Sequence, residues 1–508
     1  MPQGTDTQPV KKAPVSLRDL SLGTVLIASS AAYRPLIFWA ENAWDLAAPL
    51  SVFASAAASF LIAVAALFLL ARAGFRVLPT AYVLSGLIFI MFGWYNLPIA
   101  PPPIWLVAWA AGSIAIYRVG SDQRLKPVAI VFLALLLFAP AVQVAIQHYQ
   151  QRIPYPLAQV APPVTARATG MVEDVVILIV DSYPMLEVAR EWFAHDVGGL
   201  EADLDANGFA YEEIAWSHNT FTGLSVPSIV QLDQVVDESP KGAWGNRKSS
   251  YEIVRGDNFV SGTLQNAGFQ YTHIEGGWDG TVCGSTVDVC LPSPWLDESN
   301  WNLLQPSVLG PIFDRQLGSM EAHSTSKTTD HIVSLHLFDD GKYDYVYAHF
   351  MLPHVPYVVD AECRVVPAKE RADRIPHEAL RRQLTCVDSL LSGVVTGFGE
   401  NTAVLITGDH GTGSGDPEGS SEEWTDAQIA ERLGVLLAHR LPSGCADPES
   451  NTNLEVMRAI MACAVQADIP ASNAAFMLGA NEPVEVERER LMRIEDQLRR
   501  GVLRGPES

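Results

Sequence analysis

Four stretches of the chain combine residue types that can hold a cation and make a hydroxyl reactive. Asp409-His410-Gly411 sets a carboxylate and an imidazole side by side, after the apolar run Thr402–Thr407 and Gly408. Divalent metals such as zinc accept this oxygen–nitrogen mixture, and the glycines let the backbone turn tightly around an ion. Asp181 closes a second apolar run, Asp-Val-Val-Ile-Leu-Ile-Val-Asp over 174–181. Ser217–Ser228 is small and hydroxyl-rich, with Thr222 ahead of Pro227, a residue tolerated in a helix's first turn. A hydroxyl at a helix start beside a cation sits where an alkoxide is stabilised and backbone N–H groups can hold phosphoryl oxygens. His349 and His354 flank a Pro-rich turn, where they could supply a metal ligand together with a group that binds a substrate's oxygens or protonates a leaving group. Taken singly, each stretch has a plainer reading: an ordinary turn, a helix cap, a structural histidine.

A parallel sheet is the element that would bring the four together. The run at 174–181 is apolar without alternation, as in a strand buried on both faces. Tyr343–His349 and Thr402–Thr407 read the same way, with helical patterns such as Glu378–Val394 between them. Ligands of open α/β sheets bind beyond the carboxyl ends of the strands. Strands ending at Asp181, His349 and Asp409 would therefore deliver those side chains to one rim.

Composition changes near residue 150. Residues 1–150 hold nine Lys/Arg against five Asp/Glu, leaving 25 against 52 in the remainder. So acidic a domain repels nucleic acid, and a DNA or RNA partner is excluded. Five apolar stretches precede it, at about Leu22–Ala40, Ala48–Leu70, Leu78–Tyr95, Pro103–Val119 and Pro127–Ile146. A bilayer crossing needs roughly 20 such residues. Lys11, Lys12 and Arg18, then Arg72 and Arg76, then Arg118, Arg124 and Lys126 mark alternate loops as cytoplasmic. Five crossings that begin inside leave the acidic part outside. Its six cysteines agree, since an even number confined to one domain suits an oxidising compartment. Cys283–Cys290 is the firmest pairing, with Cys363–Cys386 and Cys445–Cys463 following by proximity; buried free thiols are the alternative. The organisation expected is a cytoplasmic tail (1–20), transmembrane helices (21–146), a Pro-rich extended linker (147–172), an extracytoplasmic domain (173–482), and a C-terminal helix and tail (483–508). In that last helix Leu491, Ile494 and Leu498 fall at helical spacing, as in a surface helix packed on the domain.

In kind and in order, the four stretches resemble the alkaline phosphatase/sulfatase superfamily. The likeness is greatest to its membrane-anchored phosphotransferase branch, which includes lipid A phosphoethanolamine transferases and lipoteichoic acid synthases. Thr222-Gly223-Leu224-Ser225-Val226-Pro227 matches that branch's nucleophile segment. The resemblance implies an N-terminal bundle of about five transmembrane helices, then an α/β alkaline-phosphatase-like domain with a mainly parallel central sheet. It implies metal ligation by Asp181, Thr222, Asp409 and His410, with Thr222, His354 and His349 catalytic. The ion would be zinc, with Mn2+, Mg2+ or Ca2+ as alternatives. The activity implied is transfer of a phosphoethanolamine- or phosphoglycerol-type group, from a membrane phospholipid donor to an envelope glycan or lipid acceptor. The protein would sit in the plasma (inner) membrane as a multi-pass protein, with its catalytic domain periplasmic or extracellular. A sulfatase-like phosphodiesterase or phosphatase, or a degenerate envelope scaffold, are the alternatives. The sequence departs from the family in two places. Asp181 stands where the transferases carry Glu. No histidine follows in Gly411–Val435, where Glu418, Glu422 and Glu423 stand instead of a second His-Gly. No formylglycine motif of Cys/Ser-x-Pro-x-Arg type surrounds Thr222, which argues against a true sulfatase.

Overall fold

A computed structural model describes residues 16–42, 53–93, 102–119, 122–151, 161–235, 247–292, 320–334, 343–367, 370–371, 377–413, 423–472, 474–479 and 484–505. The chain divides into two compact units, Met1–Arg152 with Ser299–Phe313, and Ile153–Glu298 with Asp314–Ser508.

The described part of the first unit is helical: α1 (Leu17–Asn42), α2 (Phe53–Arg72), α3 (Val77–Gly93), α4 (Pro102–Val119) and α5 (Asp122–Gln151). A helix thus occupies each of the five apolar stretches. Positions 48–52 and 94–95 of those stretches, and the Pro-rich turn at 96–101, lie outside the described residues. Helix α1 packs on α2, α3 and α5. Ile27, Ala31, Leu67, Ala71 and Ala81 form the shared core. Small residues allow this closeness: a Cβ on Gly23 would stand 3.0 Å from that of Ala81. The outer surface stays apolar, with Leu61, Ile62, Leu69, Ile130, Leu135 and Phe138 exposed. An ion pair of 3.0 Å from Lys126 to Asp19 joins the starts of α5 and α1 at one end of the unit. By length and composition, Leu17–Trp39 is long and apolar enough to cross a membrane, while Ala56–Arg72 and Val77–Met91 are shorter apolar helices.

The second unit is an α/β structure. Its strands are β1 (Arg167–Ala168), β2 (Asp174–Val180), β3 (Ala210–Tyr211), β4 (Gln270–Ile274), β5 (Val289–Leu291), β6 (Asp344–Phe350), β7 (Thr402–Thr407), β8 (Leu437–Arg440), β9 (Val465–Gln466), β10 (Phe476–Leu478) and β11 (Val484–Val486). Seven of them form one sheet in the order β3-β8-β7-β2-β6-β4-β5. Pairing is parallel from β7 through to β5 and antiparallel at β8 and β3, so the sheet is mixed but mostly parallel. Strand β2 lies at its centre, with every residue buried, as its unbroken apolar run requires.

Alternation along the strands separates two cores. Val175, Ile177 and Ile179 face α8 (Thr222–Gln231), α9 (Arg247–Val254) and α10 (Phe259–Asn266). Val176, Leu178 and Val180 face the opposite core, built with α6 (Leu186–Glu191), α7 (Gly198–Ala206), α11 (Met320–Ser334) and α12 (His377–Val395). Helix α13 (Asp426–Leu433) joins this second core, and α14 (Asn453–Ala464) joins the first. Each aliphatic side chain so enclosed contributes about 1.5–3 kcal/mol. Helix α15 (Arg488–Arg499) adds Leu491, Ile494 and Leu498 to the core with α12 and α13.

The stretch expected as a free linker is different in kind. Helix α5 runs to Gln151, and residues 152–160 lie outside the described residues. From Ala161 the chain already packs on the second unit. Ala166 and Val172 are buried, β1 pairs antiparallel with β9, and the Val164 amide donates to Thr263 Oγ1 at 3.2 Å. Prolines make this segment extended; tertiary pairing makes it part of the fold. Three disulfides, Cys283–Cys290, Cys363–Cys386 and Cys445–Cys463, complete the unit with Cα separations of 5.9, 5.0 and 5.4 Å.

Candidate metal centre

Strand parity brings the site together. Ile179 pairs with His349 on β6 and with Thr407 on β7, and Asp181 follows two residues later on the same face. That is the face covered by α8, whose first residue is Thr222. The helix begins five residues before Pro227, which therefore sits in its second turn rather than its first. Beyond β7, Gly408 lets the chain pass closely, since a Cβ there would lie 2.5 Å from the Tyr183 carbonyl. Gly411 is tighter still, with a Cβ position 1.9 Å from the Glu431 carbonyl oxygen.

Asp181, Asp409 and His410 then offer ligand atoms that all lie within 4.8 Å of one another. His410 Nε2 is 3.5 Å from Asp409 Oδ2, 3.8 Å from Asp181 Oδ1 and 3.1 Å from Thr222 Oγ1. His410 Nδ1 lies 2.9 Å from the Gly411 carbonyl, which can only accept, so Nδ1 carries the proton and Nε2 turns a lone pair inward. His349 Nε2 faces Asp181 Oδ2 at 3.5 Å, and its Nδ1 is 3.4 Å from the Tyr347 hydroxyl. His349 is wholly buried and His354 half-buried. The His354 ring centroid is 6.3 Å from that of His410. Of the residues singled out in the sequence, Asp181, Thr222, His349, Asp409 and His410 thus meet, and His354 stands at their edge. Glu418 and Glu422 lie outside the described residues.

A divalent cation fits this donor set. Asp409 is fully buried, and its Oδ2 has no hydrogen-bond partner; neither has His349 Nε2. Two buried carboxylates left without a compensating cation would be costly. Burial by itself raises the Asp181 carboxyl pKa, yet the imidazoles of His354, His349 and His410 outweigh it and hold the group well below the ordinary carboxylate range. For His410 burial dominates and pushes the imidazole pKa down, against the pull of the Asp409 and Asp181 carboxylates.

Three supporting residues escaped the sequence analysis. Ser182, at a left-handed φ of 62°, donates its amide N–H to Asp409 Oδ1 at 3.0 Å and its hydroxyl to Asp181 Oδ1 at 3.1 Å. Arg432 on α13 joins the segment before Thr222 to the loop after β7, Nη2 donating to the Thr220 carbonyl at 3.0 Å and Nη1 to that of Gly411 at 3.3 Å. Gln383 on α12 holds the His354 loop: its Nε2 donates to the Pro353 and His354 carbonyls, both at 3.0 Å, and its Oε1 accepts from the Val358 amide at 2.8 Å. Thr222 itself is secured through its helix, because Ser225 bonds Ser217 Oγ at 2.7 Å and donates to the Asp409 carbonyl.

No family model and no curated protein matches the chain. Among solved structures it is similar to the integral membrane lipooligosaccharide phosphoethanolamine transferase A of Neisseria meningitidis. That match has 14% identity and a TM-score of 0.39, over 86% of this chain and 95% of the other. It is also similar to the periplasmic domain of EcEptC from Escherichia coli in complex with Zn, at 10% identity and a TM-score of 0.41, over 64% and 96% of the two chains. A third is a protein in the alkaline phosphatase superfamily from Vibrio parahaemolyticus, at 10% identity and a TM-score of 0.36, over 70% and 95%. With every score below 0.5, the roles of individual residues rest on the geometry of the site.

Proposed function

We propose that the protein is a membrane-bound, metal-dependent phosphotransferase. It would move a phosphoethanolamine- or phosphoglycerol-type group from a phospholipid to an envelope glycan or lipid through a covalent phospho-threonine at Thr222. The observation that carries this reading is the placement of Thr222 Oγ1 3.1 Å from His410 Nε2, at a helix start, against two buried carboxylates. Asp181, Asp409 and His410, with Thr222, would hold one divalent ion, zinc by the mixture of donors. A bound cation supplies Lewis acidity that makes the threonine hydroxyl more acidic.

The chain's own residues do the rest. Thr222 gives up its hydroxyl proton to water, and its Oγ forms the new bond to phosphorus while the bond from phosphorus to the departing lipid alcohol breaks. The first backbone N–H groups of α8 face the incoming phosphoryl oxygens. His354, half-buried at the edge of the cluster, would protonate the departing oxygen. His349, sealed from solvent with Nε2 3.5 Å from Asp181 Oδ2, would act through that carboxylate. An acceptor hydroxyl, giving its proton to the now neutral His354, would then attack phosphorus as the bond from phosphorus to Thr222 Oγ breaks. Five crossings by α1–α5 would hold the domain on the outer side of the inner membrane, beside lipid headgroups. The exposed apolar surface of the helical unit and the three disulfides support that placement.

Intact-protein mass spectrometry after exposure of the full chain to native lipids tests the proposal. The expected result is an added headgroup mass on a peptide containing Thr222, absent from Thr222→Ala. An adduct that persists in Thr222→Ala, or headgroup transfer that continues at the wild-type rate, overturns the assignment.

A further inference from the structure

We propose that Ser182 is a positioning residue that makes the metal centre selective for a small, four-coordinate cation. The inference rests on the reading of Asp181, Asp409 and His410 as a cation site. Ser182 touches all three of them. Its amide N–H occupies Asp409 Oδ1 at 3.0 Å, and its hydroxyl donates to Asp181 Oδ1 at 3.1 Å. Its oxygen also lies 3.3 Å from His410 Nδ1, on the side of the ring away from the cluster.

These bonds divide the carboxylate oxygens. On Asp409, Oδ1 is taken, and Oδ2 is left without a partner, fully buried and 3.5 Å from His410 Nε2. On Asp181, Oδ2 faces His349 Nε2 at 3.5 Å, so the other oxygen, already steadied by Ser182, is the one turned to His410 at 3.8 Å. The Ser182 amide thereby leaves Asp409 one oxygen for the ion, and its hydroxyl fixes the orientation of the Asp181 oxygen that is turned towards His410. With His410 Nε2 and Thr222 Oγ1 the inventory is four donors, the number zinc takes, since His349 falls outside the group of ligand atoms that lie within 4.8 Å of one another. Calcium seeks six to eight oxygens and uses both oxygens of a carboxylate, and manganese prefers an octahedral set.

The backbone supports a dedicated role. Ser182 holds a φ of 62°, a region that glycine enters freely and serine does not. Glycine there would keep the N–H bond to Asp409 and lose only the hydroxyl. The chain carries the residue that suits the turn less and the ligands more.

The test uses the full-length protein in detergent, stripped of metal and titrated with Zn2+, Mn2+ and Co2+. Ser182→Ala is expected to weaken zinc binding about 10-fold or more, within the range seen when a group supporting a ligand is lost, and to weaken manganese binding less. Bound Co2+ is expected to give the intense visible bands of a four-coordinate ion in the wild type and weaker bands in the variant. Ser182→Gly, which relieves the left-handed backbone and so guards against misfolding, is expected to behave as Ser182→Ala does. Wild-type zinc affinity in both variants, or equal proportional losses for zinc and manganese, overturns the role of Ser182 and leaves the cation site intact. A wild-type protein that takes up none of the three ions overturns the site and the inference together.

Discussion

Asp174 and Asp181 bracket the same strand, and they titrate in opposite directions. Both are buried, at 6% and 3% exposure. Asp174 starts β2 opposite Asp344 and Thr402. There burial, followed by repulsion from the Asp344 carboxylate, raises its pKa to about 6. At the far end burial raises Asp181 just as surely, but three imidazoles reverse the outcome. Desolvation is common to the two ends, so neighbours decide which charge each end accepts. The start of the strand favours a proton; its end is arranged for a cation.

Replacing each carboxylate in turn is the harshest way to break this contrast. Asp181→Asn removes one of the charges around the cluster, and zinc affinity in the full chain should fall by at least about 100-fold, with headgroup transfer falling alongside. Asp174→Asn should retain metal by elemental analysis after dialysis and transfer at the wild-type rate. Equal damage from both would mean that the two ends of β2 do not differ in function.

The two ends were unequally legible in the sequence. An apolar run closed by a carboxylate fixes both a buried strand and the position of its last side chain, which is why Asp181 and Asp409 could be found without coordinates. His349 followed from the same logic, because parity on β6 puts it on the face of Asp181. Ser182 carried no such signal: nothing in an Asp-Ser pair announces a left-handed turn, for which serine has no preference. Arg432 and Gln383 act through backbone carbonyls 21 to 212 positions away in the chain, contacts that no local pattern encodes. The Pro-rich stretch before β2 misled for a related reason, since extended backbone reads as linker until a partner strand is known. The raised pKa of Asp174 was equally hidden, being set by burial and then by Asp344 on another strand.

Glycines sharpen the contrast at smaller amplitude. A Cβ on Gly411 would meet the Glu431 and Gly434 carbonyl oxygens at 1.9 and 2.5 Å, and neither is the flexible end of a side chain. Gly411→Ala should therefore cost about 1–3 kcal/mol and loosen zinc, read as a lower unfolding midpoint with reduced metal content. Gly393, within α12, has open space around its Cβ position, so Gly393→Ala should gain about 0.5–1 kcal/mol and leave the metal untouched. Matching losses at both positions would show that the loop after β7 is no more constrained than an ordinary helix surface.

The smallest effect expected is the most direct test of the start of β2. A carboxyl that titrates near 6 when folded and near 4 when unfolded binds its proton more tightly in the native state. The folded chain then carries the extra proton between those values, so the slope of unfolding free energy against pH is negative there. Asp174 thus lends stability that is fully present below about pH 4 and lost as pH rises through about 6. An amide at this position keeps an oxygen for the Thr402 hydroxyl, now 3.3 Å from Asp174 Oδ2, and carries no charge at any pH. Asp174→Asn should raise the unfolding midpoint at pH 7 by roughly 2–4 °C, and the gain should shrink steadily towards pH 4. Other carboxylates titrate in the same window, so the quantity to follow is the difference between variant and wild type at each pH. A difference that stays constant from pH 4 to 7 would assign the effect to packing and overturn the raised pKa of Asp174.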